Sequence, residues 1–198
     1  NPEIYLKLGD VVRQLTRSDP TLVDKDKSYW TLALEADPSY LPAMQRLLDS
    51  YLEDAQLYPN PHTFGRIRDV CSRILHIDPN DSRAKSSLHI ALIQSWLSGV
   101  ETSDQEIEAS LKEMADLQQR DPQNLEVPFM YARAKVKQAK EFFARDFRER
   151  ANKEIINAEA AMQEAIAANP ENPRAHLRHG QIMMEIAALY RRDPEKFR

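Results

Sequence analysis

Two histidines, His176 and His179, are the residues whose spacing comes nearest to a metal site. Residues three apart lie on one face of a helix, so both imidazoles could reach the same ion. The usual third and fourth ligands are missing nearby, however, and the sequence has no His-Glu-x-x-His motif. We therefore interpret both as helix-packing or surface histidines and expect no bound metal.

The sequence also lacks the patterns that activate a nucleophile. It has no Gly-x-Ser-x-Gly motif and no glycine loop that could cradle a phosphate. Cys71 is the only cysteine, so it cannot form a disulfide within the chain, and no spacing around it suggests a catalytic dyad. We predict that the protein is not an enzyme, that it needs no cofactor, and that Cys71 is a small core residue.

An Asp-Pro or Asn-Pro pair recurs along the chain and divides it into similar lengths. The junction prolines are Pro38, Pro79, Pro122 and Pro170, which are 41, 43 and 48 residues apart. Each follows a helix-like apolar pattern that proline cannot continue. The positions eight residues before them, which we expect to be equivalent and buried, are Trp30, Cys71, Met114 and Met162.

The segments between the junctions favour helices. Only four glycines interrupt them, and strong helix formers such as Ala, Leu, Glu and Lys fill them. We therefore predict an all-α protein with two helices between successive junctions. The helices are expected near 3–17, 22–36, 40–57, 63–77, 82–98, 104–120, 125–147, 150–168 and 173–191.

Local signals refine the ends of three helices. Thr63 and Ser103 are predicted N-caps, the latter in a capping box with Glu106. Residues 145–152 are expected to hold the turn of the long hairpin between Pro122 and Pro170. Phe143 and Phe147 lie one helical turn apart, so we expect both to pack inward.

Small and aromatic residues recur at corresponding places in these helices. They are Tyr5, Leu8, Gly9 and Val12, then Tyr131 and Ala132, then Ala158, Met162, Ala165 and Pro170, and finally Gly180. In this respect the chain resembles the tetratricopeptide-repeat superfamily, in which a small residue lets two helices cross closely. Leu48 and His89 occupy that position in the middle units, and the repeats exceed the usual period of about 34 residues.

The resemblance implies a right-handed superhelical solenoid of about four and a half helical hairpins, in one domain spanning 1–198. In that family the first helix of each hairpin lines a concave groove that binds a peptide or protein. Arg can hold a carboxylate with two hydrogen bonds, so a basic and apolar lining suits an acidic peptide with apolar anchors. The candidate peptide-binding residues are Phe129, Met130, Arg133, Lys137, Arg174, Leu177 and Arg178.

Two other functions stay open. One is a structural assembly role, including a homo-oligomer, because the end helices have no evident hairpin to cover them. The residues concerned are Ile4, Leu8 and Val12 at one end and Ile182, Ile186 and Leu189 at the other. The other is single-stranded RNA binding, which would need a continuous basic inner face.

The charge distribution bears on these alternatives. Residues 1–119 carry 12 basic and 19 acidic side chains, a net of −7, while residues 120–198 carry 15 and 12, a net of +3. Neither balance is that of a dedicated nucleic-acid binder, so we do not expect a nucleic-acid partner. The two ends should prefer different partners.

The membrane class is not expected. The longest uncharged stretch, residues 86–100, is about five residues too short to span a bilayer. We expect a soluble protein, cytoplasmic or periplasmic, and interpret the abrupt start at Asn1-Pro2-Glu3 as that of an excerpt from a longer chain.

Overall fold

The computed structural model of the chain describes residues 1–16 and 18–191, and this part is helical with no β-strand. The all-α prediction is therefore confirmed. A single 3₁₀ turn, Pro20–Leu22, follows the first helix. The α-helices are α1 Pro2–Thr16, α2 Lys25–Ala36, α3 Leu41–Leu57, α4 Pro61–Ile77, α5 Ser82–Leu97, α6 Asp104–Arg120, α7 Glu126–Ala144, α8 Arg148–Ala168 and α9 Pro173–Arg191.

The junction prolines end helices as predicted. Helices α2, α4, α6 and α8 each end two residues before a junction proline. The residue between is an Asp or Asn whose backbone leaves the helical region, because the ring of the following proline disfavours it there. Asp37 and Asp78 are both extended, yet each still donates its N–H to the carbonyl four residues back. The helix thus ends without losing that last hydrogen bond.

The structure confirms one predicted N-cap and corrects the other. Ser103 and Glu106 form the reciprocal capping box expected for α6. The N-cap of α4 is Asn60, not Thr63, and its side chain accepts from the Thr63 N–H. Pro61 explains the difference, because proline is favoured at the first helical position and lets the helix start earlier.

The turn of the α7–α8 hairpin lies between Ala144 and Arg148, within the predicted region. Asp146 has a φ of 61°, a left-handed conformation that Asp tolerates better than most residues. Because the chain turns here, Phe147 falls outside both helices and is exposed, whereas Phe143 is half-buried against Tyr190. The expectation that Phe147 packs inward is therefore wrong.

The chain divides into two compact units, residues 1–91 and 92–198, with the boundary inside α5. In the first unit, α1 packs on α2, α2 on α3, and α3 on α4. Its core is built around Trp30, Met44, Leu48 and Phe64. The expectation of one domain over 1–198 stays a prediction.

In the second unit, α7 packs on α6, α8 and α9, and α8 also packs on α9. One charged residue, Lys135 of α7, lies among the buried side chains. Its ammonium is 2.9 Å from a carboxylate oxygen of Glu154 on α8 and donates to Gln138 at 3.0 Å. Burying this charge is tolerable only because it is paired.

The four residues predicted to be equivalent all lie in the core. Trp30, Cys71, Met114 and Met162 each have 0% of their surface exposed. Their common distance from a junction proline places them on the buried side of α2, α4, α6 and α8. The register read from the prolines is confirmed in both units.

Candidate functional site

The predicted peptide-binding residues lie on two helices of the second unit. Phe129, Met130, Arg133 and Lys137 belong to α7, and the other three belong to α9. The structure brings Phe129, Arg133 and Arg178 together, because α7 packs on α9. The guanidinium carbon of Arg178 is 4.1 Å from the Phe129 ring centroid, and that of Arg133 is 5.9 Å from it.

Both arginines of this group are already paired with carboxylates. Arg178 donates to Glu126 of α7 at 2.7 Å, and Arg133 donates to Glu185 of α9 at 3.2 Å. These pairs cross between the two helices in opposite directions, so they help to fix α9 against α7. The basic character predicted for this surface is therefore largely neutralised within the protein.

Phe129 and Met130 have almost no accessible surface. Both are buried, so their side chains serve mainly as core residues of the second unit. A peptide on this surface would meet the guanidinium groups that cover Phe129 before it met the ring. Periodicity could not separate these positions, because a residue facing an inner groove and one facing a neighbouring helix can share a helical stripe.

Lys137 is engaged with the end of another helix. Its ammonium lies 3.9 Å from the Trp96 ring centroid and donates to the Trp96 carbonyl oxygen at 2.6 Å. Burial lowers the pKa of Lys137, because the charged form loses hydration. Lys137 thus adds a second hydrogen bond to a carbonyl in the last turn of α5, which also accepts from the Gly99 N–H at 3.0 Å.

Arg174 and Leu177 are the members of the set that stay open to solvent. Both are exposed on α9, and the Arg174 guanidinium has no ion-pair partner among the residues that the structure describes. Sequence reasoning missed their exposed neighbours Met183 and Met184. The signal that could have found them is Gly180, whose lack of a side chain marks the centre of this face.

A second candidate surface is a cleft of about 1080 Å³ in the first unit. It is lined by residues of α1, α2 and α3, by Val23 and Asp24 just before α2, and by Arg83 of α5. Six carboxylates and four cations face it, so its net charge is negative. The ion pairs join Arg13 to Asp26 and Glu53, Lys27 to Asp24 and Asp54, Arg46 to Asp10, and Arg83 to Asp49.

The residues considered for chemistry do not converge. Within the described part of the chain, no three His, Cys, Asp or Glu side chains are placed to hold a metal ion. His176 bonds the Pro170 carbonyl oxygen through Nε2 at 2.8 Å. Burial raises the pKa of the Cys71 thiol to about 12, which suppresses the thiolate needed for nucleophilic attack.

Comparison of the chain with protein-family models gives no match, and comparison with curated protein sequences gives none either. No helix in the described residues is long and apolar enough to cross a membrane, as the sequence predicted. What the protein binds must therefore be inferred from its own residues.

Proposed function

We propose that the protein is a non-enzymatic protein-interaction scaffold. In this proposal its hairpins are tetratricopeptide-like and stack into a right-handed superhelical solenoid of about four and a half units. The observation that carries the proposal is the common register of four fully buried residues, Trp30, Cys71, Met114 and Met162. Stacked repeats bury such positions between neighbours and leave the remaining helix faces for partners.

The two arginine–glutamate ion pairs beside Phe129 indicate which chemical groups a partner would carry. Arg133 and Arg178 each hold a glutamate supplied by the protein itself. An acidic peptide could replace these internal carboxylates, because the guanidinium groups are only partly buried and accept any carboxylate of suitable geometry. The proposed partner is therefore a protein or peptide with acidic groups and apolar anchors.

The test compares variants that should change capture in opposite directions. The protein is immobilised, and proteins retained from an extract of its source cells are quantified by mass spectrometry at two salt concentrations. The double reversal Arg133→Glu/Arg178→Glu should lose the partner and its salt dependence. Glu126→Gln/Glu185→Gln frees both guanidinium groups and should increase capture.

A matched control is Arg145→Glu/Lys153→Glu, which makes the same charge change at exposed positions around the α7–α8 turn. It should leave capture unchanged. Circular dichroism melting of each variant separates lost binding from lost folding. Equal capture by all three double variants would move the site away from Phe129, and no specific capture by the unmodified protein would overturn the scaffold proposal.

One observation favours structural assembly as a second candidate. Ile4, Leu8, Val11 and Leu15 of α1 are all exposed, between 42% and 58%, and their spacing places them on one helical face. Val11 lies on this face in place of the predicted Val12, which is half-buried. A face of this kind is typical of a contact between molecules.

The other predicted end behaves differently. Ile182 and Ile186 are buried, so the expectation that they form an exposed end face is wrong. They lie on the side of α9 that packs against α7 and α8. If α1 drives assembly, sedimentation velocity should show oligomers that Leu8→Lys/Val11→Lys converts to monomers, whereas a monomer at all concentrations would exclude it.

No comparable observation supports single-stranded RNA binding. The arginines of the first-unit cleft and of the α7–α9 surface are paired with carboxylates. Phosphate recognition would require those carboxylates to be displaced. RNA binding therefore stays a hypothesis from the sequence.

A further inference from the structure

Helix α9 carries one face that the described residues leave uncovered. Leu177 and Met184 are 63% and 67% exposed, and Met183 is exposed beside them. At 100° per residue, every position of α9 within about 60° of Gly180 belongs to this face. All are exposed, namely Pro173, His176, Leu177, Gly180, Met183, Met184, Ala187 and Arg191.

The register shows what such a face accepts elsewhere in the chain. Leu48, His89, Ala132 and Gly180 each lie ten residues after a junction proline, and His89 is half-buried. Leu48 and Ala132 are buried, and their helices α3 and α7 pack against α4 and α8. Gly180 is exposed, and a β-carbon built on it would meet no atom within 4 Å. Its face of α9 therefore corresponds to a helix-binding face that no helix among the described residues covers.

The pair of helices at the start of the chain shows how a glycine is used in such a contact. A β-carbon on Gly9 of α1 would overlap the indole of Trp30, which α2 places directly against it. The missing side chain therefore makes room for a bulky residue of the covering helix. Gly180 offers the same room on α9.

Two exposed arginines lie near the ends of this α9 face. Arg191 belongs to the face at its C-terminal end, and Arg174 lies beside the face at its N-terminal end, about 120° around the helix from Gly180. Glu185 lies on the same side as Arg174, and its carboxylate bonds Arg133. Among the described residues of α9, the face itself contains no carboxylate. The two arginines are 17 residues apart, which is about 25 Å along a helix. A helix of about five turns with acidic ends would match both the length and the charge.

We propose that this face docks an amphipathic α-helix of a partner protein. The helix places a bulky apolar residue over Gly180 and carboxylates near Arg174 and Arg191. This proposal rests on the scaffold function proposed above and names the partner for two of its predicted residues, Arg174 and Leu177.

A partner protein fits better than a second copy of this chain. The exposed apolar face of α1 carries Glu3 and Lys7, which pair with each other at 2.8 Å and so offer no net negative charge. Helix α6 has the required acidity, with five acidic and two basic side chains, but its apolar residues Ile107, Leu111 and Met114 are buried. No helix in the described residues combines an exposed apolar stripe with acidic ends.

The probe for this face is a displayed library of 18-residue amphipathic helices. The library is randomised at its central apolar position and at its charged ends, and it is selected on the intact protein. Selected peptides should carry a bulky apolar residue at the centre and acidic ends. Fluorescence anisotropy should show their affinity falling about tenfold or more in Leu177→Lys and in Gly180→Leu, because both fill or charge the centre of the contact.

The matched control is Ile156→Lys, which changes an equally exposed apolar residue on α8. It should leave the affinity unchanged. Repeating the selection on Arg174→Glu/Arg191→Glu should give peptides with basic ends. Selected peptides that bind Leu177→Lys and Gly180→Leu as tightly as the unmodified protein would overturn the proposal, as would a selection that never favours acidic ends.

Two further measurements identify other occupants. Mild peroxide should oxidise Met184 readily and spare Met162, which is buried; protection of Met184 in the isolated protein would mean that the chain covers its own face. Oligomers in sedimentation that Leu177→Lys/Met184→Lys dissociates would identify a second copy. Either result overturns the proposal.

The scaffold function and the α9 face can fail separately. Cellular partners captured equally well by the protein and by Leu177→Lys/Met184→Lys would reject docking on α9 and leave the scaffold intact. The absence of any captured partner would reject the scaffold, and the peptide selection would still decide whether α9 binds a helix.

Discussion

The indole of Trp30 lies directly against Gly9, and its Cδ1 would be 2.5 Å from a β-carbon at that position. Trp30 is fully buried, and its Nε1 has no hydrogen-bond partner among the described residues. The close contact with α1 therefore comes with an unsatisfied donor, which is normally unfavourable. Arg13 makes a cation–π contact with the same indole, since its guanidinium carbon lies 5.5 Å from the ring centroid.

Gly9→Ala should destabilise the protein by about 1–3 kcal/mol, because the added methyl group must displace the Trp30 indole or α1 itself. Gly65→Ala is the matched control, since a β-carbon there would meet nothing within 4 Å. Alanine at this position, inside the second turn of α4, should increase stability by about 0.5–1 kcal/mol. Urea denaturation of both variants measures the difference, and equal effects would contradict the contact with Trp30.

Lys135→Met should be strongly destabilising, by about 3–5 kcal/mol, because it leaves the Glu154 carboxylate in a largely buried site without its partner. Lys135→Met/Glu154→Leu should recover most of that loss, since two apolar side chains can fill the same space without a desolvation cost. A double-mutant cycle by thermal denaturation gives the interaction free energy between Lys135 and Glu154. Additive effects would show that the two residues do not interact.

Asn60→Ala should lower the stability of the protein by about 0.5–2 kcal/mol, because it removes the acceptor for the Thr63 N–H at the start of α4. Asn60→Gly should lower the stability by only a few tenths of a kcal/mol, since glycine is itself an acceptable N-cap. Chemical denaturation compares the two variants. Identical losses would place the helix start elsewhere.

Cys71 should not react with a thiol reagent such as Ellman's reagent at pH 8 until the protein unfolds. Burial raises the pKa of its thiol from 9.0 to about 12, so the folded state disfavours the thiolate. This contribution to stability is fully present below pH 9 and is lost as the pH rises toward 12. Between pH 8 and pH 10, the denaturation midpoint of Cys71→Ala should fall less than that of the unmodified protein. Rapid labelling of Cys71 in the native protein would contradict its burial.

The helices could be predicted from the sequence because their ends depend on local chemistry. Proline removes a hydrogen-bond donor and clashes with the preceding turn, so it marks a junction wherever it follows an apolar stripe. The capping box of Ser103 and Glu106 likewise involves residues only three apart. The prediction of Thr63 as an N-cap is wrong because Asn60, which directly precedes Pro61, caps the helix three residues earlier.

The candidate site was predicted less well, because ion pairs join residues far apart in the chain. The partners of Arg133 and Arg178 are each 52 residues away, and only the packing of α7 on α9 brings them together. Lys137 meets Trp96 across 41 residues in the same way. An isolated basic residue in the sequence carries no sign of such a partner.

The sequence alone determined the helices, their breaks and the buried register of Trp30, Cys71, Met114 and Met162, because periodicity and proline act over a few residues. Only the tertiary structure decided which faces stay open. Ile182 and Leu177 both lie on apolar stripes of α9, yet one is buried and the other exposed. The difference depends on which side of α9 meets α7 and α8, and helical periodicity does not specify that neighbour.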